Sequence, residues 1–392
     1  MRPAVSAQQA KEMAAQHWGL EGPLEVSELA GYDDRNWRVA GPTSACVLKV
    51  HNAADSAKPL FAEAQNALLV QLQAAGIPVP APLPLAEGQP CKGHASCSRG
   101  GDPCTLRIAA EDGRQHAVRA LSWLPGKLLV DVLQSAELYR QLGALLGRTN
   151  RALQARDWTA SEALRLPYDW NLLYLMPTFA RIRPTLEGMP GIDVPLLDAV
   201  VLHFGRAIQG RGGSLRRAII HSDANERNVL VDEQAAAAAA AAEQAAAAAG
   251  GCAVAAAPGS NGTASGSPAL ITGLLDWGDA SWCWLAAEPA AAAVYMMLLE
   301  ANIESPLPAA RALLAGYEAE LPLEPAERGM LRTLCCARLV QSLSLGAHAA
   351  AREPSNAEYL LGTQRNGWRL LRMLWALSDE QFLTALGPAP SS

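Results

Sequence analysis

The chain has 392 residues, 50% of them hydrophobic, which is enough for two lobes and a large buried core. A formal net charge of −6, a pI near 5.7 and no clustered run of Lys and Arg exclude a general nucleic-acid binder, because phosphate neutralisation needs dense positive charge. The longest apolar segments, such as 290–299, are shorter than the roughly 20 residues that cross a bilayer, and the N-terminus lacks the apolar core of a secretory signal, so a soluble protein with no membrane partner is expected.

The 8 cysteines contain no Cys-x-x-Cys spacing, which argues against a zinc site or a redox pair and fits reduced thiols in a cytoplasmic setting. Cys91, Cys97 and Cys104 with His94 are too irregularly spaced to read as a metal cluster. Arg2 among Ala and Ser residues leaves organelle targeting open, although Gln8 to Trp18 has the composition of an ordered helix.

A strand begins at Val26 and runs into the polar turn Gly31-Tyr32-Asp33-Asp34-Arg35-Asn36, after which Trp37-Arg38-Val39 resumes the β pattern. Such a turn suits a loop that covers a nucleotide, and equally an exposed hairpin. Ala45 to Val50 is a further strand, with Lys49 inside an apolar run. Residues 59–75 follow with Leu68, Leu69 and Leu72 at helical spacing and with Glu63 near the start. Gly76 to Pro80 should end that helix and lead into a strand, and 87–103 reads as a loop insertion. Thr105 to Ala109 and His116 to Trp123 finish an antiparallel sheet, which Trp123-Leu124-Pro125-Gly126 breaks.

From Asp131 the pattern turns helical, over 132–154, 170–186 and 195–210. Arg216 to Ile220 then leads into His221-Ser222-Asp223-Ala224-Asn225-Glu226-Arg227-Asn228 and the strand Val229-Leu230-Val231. Residues 232–268 are low in complexity, Ala runs of high helix propensity followed by Gly and Ser; without an amphipathic face they are expected to be disordered or a loose excursion at a hairpin tip, with no role in chemistry. The strand Ala269 to Leu275 closes the hairpin and delivers Asp276-Trp277-Gly278-Asp279. A carboxylate, a carboxamide five residues on and a second carboxylate from the paired strand form a layout suited to phosphoryl transfer. Asp223 would accept the proton of an attacking hydroxyl, and Asn228 and Asp276 would offer hard oxygens to Mg²⁺. Asp279 and Glu288 place negative charge where a cationic substrate would be attracted, though Glu288 reads equally as a helix N-terminal acid. Helices near 306–320, 326–349 and 355–375 complete the chain, giving an N-terminal lobe at 1–126 and a C-terminal lobe at 127–392.

His-x-Asp-x-x-x-x-Asn followed by Asp-Trp-Gly resembles the paired motifs of the aminoglycoside phosphotransferase and choline kinase superfamily. The resemblance implies an α+β, protein-kinase-like fold of two lobes, an antiparallel-sheet N-lobe and a mainly helical C-lobe. It further implies that Lys49, held by Glu63, reaches the nucleotide phosphates, that Tyr32, Asp33 and Asn36 lie in the covering turn, and that Trp123 and Leu124 contact the purine. Ser222 departs from the pattern, which has Gly there; a positive φ at that position would cost Ser about 1 kcal/mol or more. The stretches at 31–36, 47–50, 63–66, 123–126, 221–231 and 273–279 resemble one branch, the hydroxylysine kinases. That branch implies transfer from GTP, or ATP, to the hydroxyl of 5-hydroxy-L-lysine, a cationic amino alcohol. A kinase of homoserine, choline or an aminoglycoside, and a catalytically silent nucleotide-binding scaffold, stand as alternatives; the residues leave the oligomeric state open.

Overall fold

The computed structural model describes residues 2–86, 98–99, 103–110, 113–158, 161–249 and 268–388. The chain divides into two compact units: one runs to Pro125 and takes in a short segment ending at Leu166, and the other comprises Gly126–Trp158 and the chain from Pro167 onward.

The first unit is an antiparallel sheet under a helix. Helix α1 (Ala7–Trp18) starts at a capping box on Ser6 and ends at Gly19 in the left-handed region. Strands β1 (Glu25–Leu29), β2 (Arg35–Ala40) and β3 (Ala45–Val50) are followed by helix α2 (Phe61–Ala74), β4 (Leu106–Ala109) and β5 (Gln115–Ser122). Their spatial order is β1-β2-β3-β5-β4, with the two-residue strand Ser98–Arg99 at the far edge. The period of two sorts the side chains. Trp37, Val39, Cys46, Leu48, Val50, Val118 and Ala120 join Met13, Ala14 and Trp18 in one core. Asn36, Lys49 and Arg119, which the register places opposite one another across β2, β3 and β5, fall on the other face. Arg119 ties that face to α2: its Nη2 donates to Gln65 Oε1, and its Nη1 to Asn66 Oδ1 at 3.1 Å.

The strand expected after Gly76 does not form. Pro78, Pro80 and Pro82 lack N–H donors, and the run makes a single bridge at Pro82 with Leu121. Apart from Ser98–Arg99 and Pro103, the expected 87–103 insertion lies outside the described residues, as do His94, Cys91 and Cys97.

The second unit is mainly helical. A two-residue strand β6 (Lys127–Leu128) precedes α3 (Ala136–Gln154), α4 (Leu175–Leu186) and α5 (Val194–Arg211). Then come β7 (Arg217–Ile220), β8 (Val229–Val231), α6 (Glu233–Ala248), β9 (Ile271–Leu274) and β10 (Ser281–Trp284). Helices α7 (Ala287–Leu298), α8 (Leu307–Glu320), α9 (Leu331–Arg352), α10 (Gln364–Ala376) and α11 (Asp379–Leu386) follow. β8 and β9 form the expected antiparallel hairpin, irregular at Thr272, with β6 on its other side, while β10 pairs with β7. α9 is buried from Leu331 to Ala347 and packs against α4, α5, α7 and α10. α3 and α8 cross with their backbones nearly touching: a Cβ at Gly143 would lie 1.8 Å from the carbonyl oxygen of Leu313, so only glycine fits.

The low-complexity segment departs from expectation. Its Ala run is helix α6, N-capped by Asp232, with Ala236 and Ala240 buried and Glu243 Oε2 accepting the backbone N–H of Ala136 at 2.8 Å. Ala has the highest helix propensity, and two methyls spaced four residues apart are enough for a close contact with α3, so no bulky apolar stripe is needed. Residues 250–267 lie outside the described residues. Among the described residues, no helix is long and apolar enough to cross a membrane.

Candidate active site

The loop between β7 and β8 is held from three sides. His221 accepts the N–H of Asp223 on Nδ1 at 3.2 Å, so Nε2 carries the proton and donates to the carbonyl of Leu275 at 2.8 Å, edge-on to Trp277. This locks the loop to the end of β9, where Asp276 stands. Asn228 Nδ2 lies 2.9 Å from both the backbone carbonyl and Oδ2 of Asp223, and Asn225 Nδ2 donates to the same Oδ2 at 2.9 Å. Glu288, expected either to face a cationic substrate or to sit as a helix N-terminal acid, opens α7 and is fully buried beneath the loop. Its Oε2 accepts the backbone N–H groups of His221 at 2.5 Å and Ser222 at 3.4 Å. The carboxylate is therefore turned to the backbone rather than to a ligand. It holds Ser222 in the left-handed region, φ 72°, the conformation for which the motif's Gly is suited.

The other end of Asp223 is held by a residue the motifs do not contain. Oδ1 accepts from Arg338 Nη2 at 2.9 Å, and Arg338, from the middle of α9, is 1% exposed. Burial pushes the Asp223 carboxyl above the usual carboxylate range, against the pull of Arg338, His221 and Tyr295. Asp276, exposed and at φ 50°, accepts the N–H of Gly278 at 3.2 Å. Asp279 accepts the hydroxyl of Tyr168 at 2.5 Å and is pushed up to about 7, first by burial and then by the negative charges of Asp223 and Asp276. Asp223, Asp276 and Asp279 thus repel one another, and of the three Arg338 is bonded to Asp223.

In the first unit, Lys49 Nζ lies 3.3 Å from Asp34 Oδ2, and the same oxygen lies 3.2 Å from His51 Nδ1. Burial would raise the Asp34 carboxyl, but its contacts with His51 and Lys49 and the N–H of Asn52 outweigh it and hold it far below the usual range. Asp34 was not among the residues chosen from sequence, although it sits in the quoted turn. Glu63, expected to hold Lys49, instead accepts from Arg107 Nη2 on Oε1 at 3.3 Å, because Arg107 on β4 faces the start of α2 while Asp34 of the turn reaches the lysine. Asn36 shares the face of Lys49, Tyr32 is half-buried and Asp33 exposed at the turn. Trp123 is 41% exposed, with the guanidinium of Arg38 stacked 4.9 Å from its ring, and Leu124 is half-buried beside it.

Residues 25–239, just over half of the chain, match the phosphotransferase enzyme family. The chain belongs to this family. The phosphotransferase is similar to the hydroxylysine kinase of Bos taurus, with 26% identity over 388 residues, 95% of this chain and 90% of that protein. Its fold is also found in a microcompartment-associated aminopropanol kinase, with TM-score 0.65 and 15% identity over 96% of this chain and 100% of that one. An amicoumacin kinase solved with AMP-PNP, Ca²⁺ and its ligand gives TM-score 0.61 and 14% identity over 95% and 96%. The α+β kinase-like fold expected from the motifs is thereby established, as is a phosphotransferase acting on an alcohol group of a small molecule.

Sequence reasoning missed Asp34, Tyr168, Tyr295 and Arg338. For Arg338 a signal was present: it is a charge within the apolar run Leu334-Cys335-Cys336-Ala337-Arg338-Leu339-Val340, and an arginine placed there must find partners.

Proposed function

We propose that this phosphotransferase moves the γ-phosphoryl group of GTP or ATP to the side-chain hydroxyl of 5-hydroxy-L-lysine. The observation that carries the reading is the immobilised Asp223, both of whose oxygens are held, beside the crowded carboxylates of Asp276 and Asp279. Asp223 would take the hydroxyl proton as the acceptor oxygen bonds to phosphorus and the nucleoside diphosphate leaves. Asn228, its NH₂ turned to Asp223 and its carbonyl oxygen therefore at the other end of the amide, would hold Mg²⁺ together with Asp276. The donor set fits a hard divalent cation: an amide oxygen and a carboxylate are the ligands such an ion takes, and the mutual repulsion of the carboxylates is what it would relieve. When bound, that ion supplies neutralising charge to the transferring phosphate.

In the first unit, Lys49 would meet the phosphates, with Asp34 and Glu63 ordering that face, while Tyr32, Asp33 and Asn36 lie in the covering turn and Trp123 and Leu124 receive the purine. The similarity to hydroxylysine kinases over nearly the whole chain supports the acceptor, as does Asp279, whose carboxylate suits one of its two ammonium groups. Initial rates of the purified protein with GTP and with ATP, against hydroxylysine, lysine, homoserine, choline and an aminoglycoside, test it. Hydroxylysine should be the preferred acceptor; if it is inert while another alcohol is phosphorylated, the acceptor is wrong.

A further inference from the structure

Arg338 is placed where two roles compete. A buried guanidinium beside the catalytic carboxylate could clamp the α-carboxylate of an amino-acid acceptor, or it could fix the carboxylate itself. Its hydrogen bonds decide between them. Nε donates to the hydroxyl of Tyr295 at 3.2 Å. Nη1 donates to the carbonyl of Trp170 at 3.3 Å and to Gln341 Oε1 at 2.9 Å. Nη2 donates to Asp223 Oδ1 at 2.9 Å and to Tyr295 at 2.7 Å. A guanidinium has five N–H donors, and these contacts use all of them. The plane is further confined between rings, 5.2 Å from the centroid of Trp170 and 5.4 Å from that of Tyr295, and Gln341 is itself fixed by donating to the carbonyl of Asp169 at 2.8 Å.

We infer that Arg338 is a positioning residue for phosphoryl transfer: it aims Asp223 at the acceptor hydroxyl and does not bind the acceptor's carboxylate. The loop's own amides hold only Oδ2, leaving the carboxylate free to turn about that end; the guanidinium, delivered by the buried helix α9 and acting with the Tyr295 hydroxyl, removes that freedom. Aiming matters because a displacement of about 1 Å at a reacting group can cost about 10²-fold in rate.

The inference rests on Asp223 being the base, and its test is kept apart from the choice of acceptor by using whichever acceptor the wild type phosphorylates. In Arg338→Met, kcat should fall about 10²-fold, with KM for nucleotide and acceptor near wild type. The same fall should appear with the acceptor's decarboxylated analogue, which for hydroxylysine is 1,5-diaminopentan-2-ol. A rise in acceptor KM confined to the carboxylate-bearing compound would make Arg338 a carboxylate clamp, and an unchanged kcat would make it a packing residue; either overturns the inference. Should Arg338→Met not fold, Arg338→Lys decides: it keeps the buried charge beside Asp223 but lacks the planar fork that fixes the carboxylate, and a smaller loss confined to kcat is expected, whereas no loss overturns it. Wild-type protein inert toward hydroxylysine would instead sink the acceptor reading and leave Arg338 to be judged on the acceptor that works.

Discussion

Asp34 in the first unit and Asp279 in the second are both carboxylates withdrawn from water, yet their surroundings drive them in opposite directions. Asp34 is matched by Lys49, His51 and the N–H of Asn52, so it is held ionised. Asp279 has a phenol for a partner and carboxylates for neighbours, so it is pushed up to about 7. The first arrangement is a completed structure that holds a lysine in place. The second is unbalanced, and such imbalance marks a site that handles charge arriving from outside.

Removing the acid that the second unit is built to aim should give the largest effect. Asp223→Asn should lower kcat by about 10²–10⁴-fold while nucleotide affinity stays close to wild type, since Asp223 deprotonates the acceptor rather than holding phosphate. Kinetics paired with nucleotide titration check this; a variant that keeps more than half of the wild-type rate removes Asp223 from the role.

At the balanced site the cost should fall on stability as well. Asp34→Ala leaves Lys49, only 7% exposed in its side chain, without the carboxylate, and breaking a buried pair from one side costs about 3–5 kcal/mol. Denaturant unfolding should show that loss, and KM for the nucleotide should rise with KM for the acceptor unchanged. An unchanged midpoint would mean that other groups compensate Lys49 fully.

The pH dependence separates the two carboxylates. Asp34 has a folded-state pKa below its unfolded value, so its contribution is present above about pH 4 and is lost only as pH falls further. Asp279 has a folded-state value raised to about 7, so the folded state binds more protons between about pH 4 and 7 and stability falls as pH rises through that window. Asp279→Asn should remove this decline. The metal-free variant should be about 1–2 kcal/mol more stable than wild type at pH 8, after allowance for its partial exposure, and level with it near pH 4. Parallel pH-stability curves for the two proteins would show that Asp279 is not raised.

The parts of the site legible in the sequence are those in which chemistry and spacing are local. Asp223 and Asn228 share one loop, and Asp276 follows on the strand paired with it, so three residue types in order located them. Arg338 lies 115 residues beyond Asp223, and its meeting with the carboxylate depends on how α9 packs, which no short pattern encodes. Glu288 illustrates the converse. An acid near the motif reads the same whether it faces a ligand or a backbone, and only the N–H groups of His221 and Ser222 distinguish the two. The sheet was readable because Trp37, Val39, Leu48 and Val50 alternate with polar neighbours, whereas the proline-interrupted run after Gly76 mimicked a strand in hydropathy while lacking the donors of one.

The packing of helix α6, though not its helix propensity, was illegible for a different reason: a run of one residue type has no periodic contrast, so its buried and exposed faces look alike. The structure separates them, with Ala236 and Ala240 buried and Glu243 reaching the first turn of α3, where Ser135 already caps the N–H of Leu138. Glu243 adds a second acceptor for an otherwise unpaired first-turn donor, and its negative charge meets the positive end of the α3 dipole. The contact is exposed, so Glu243→Ala should cost only about 0.5–1 kcal/mol, roughly 1–4 °C in Tm for a unit of this size, with kcat unchanged. Replacing Ala236 by Asp should cost more, because a charge would then be buried against α3. If calorimetry finds both variants level with wild type, α6 does not pack on α3 in solution, and the Ala-rich segment is the loose excursion its composition suggests.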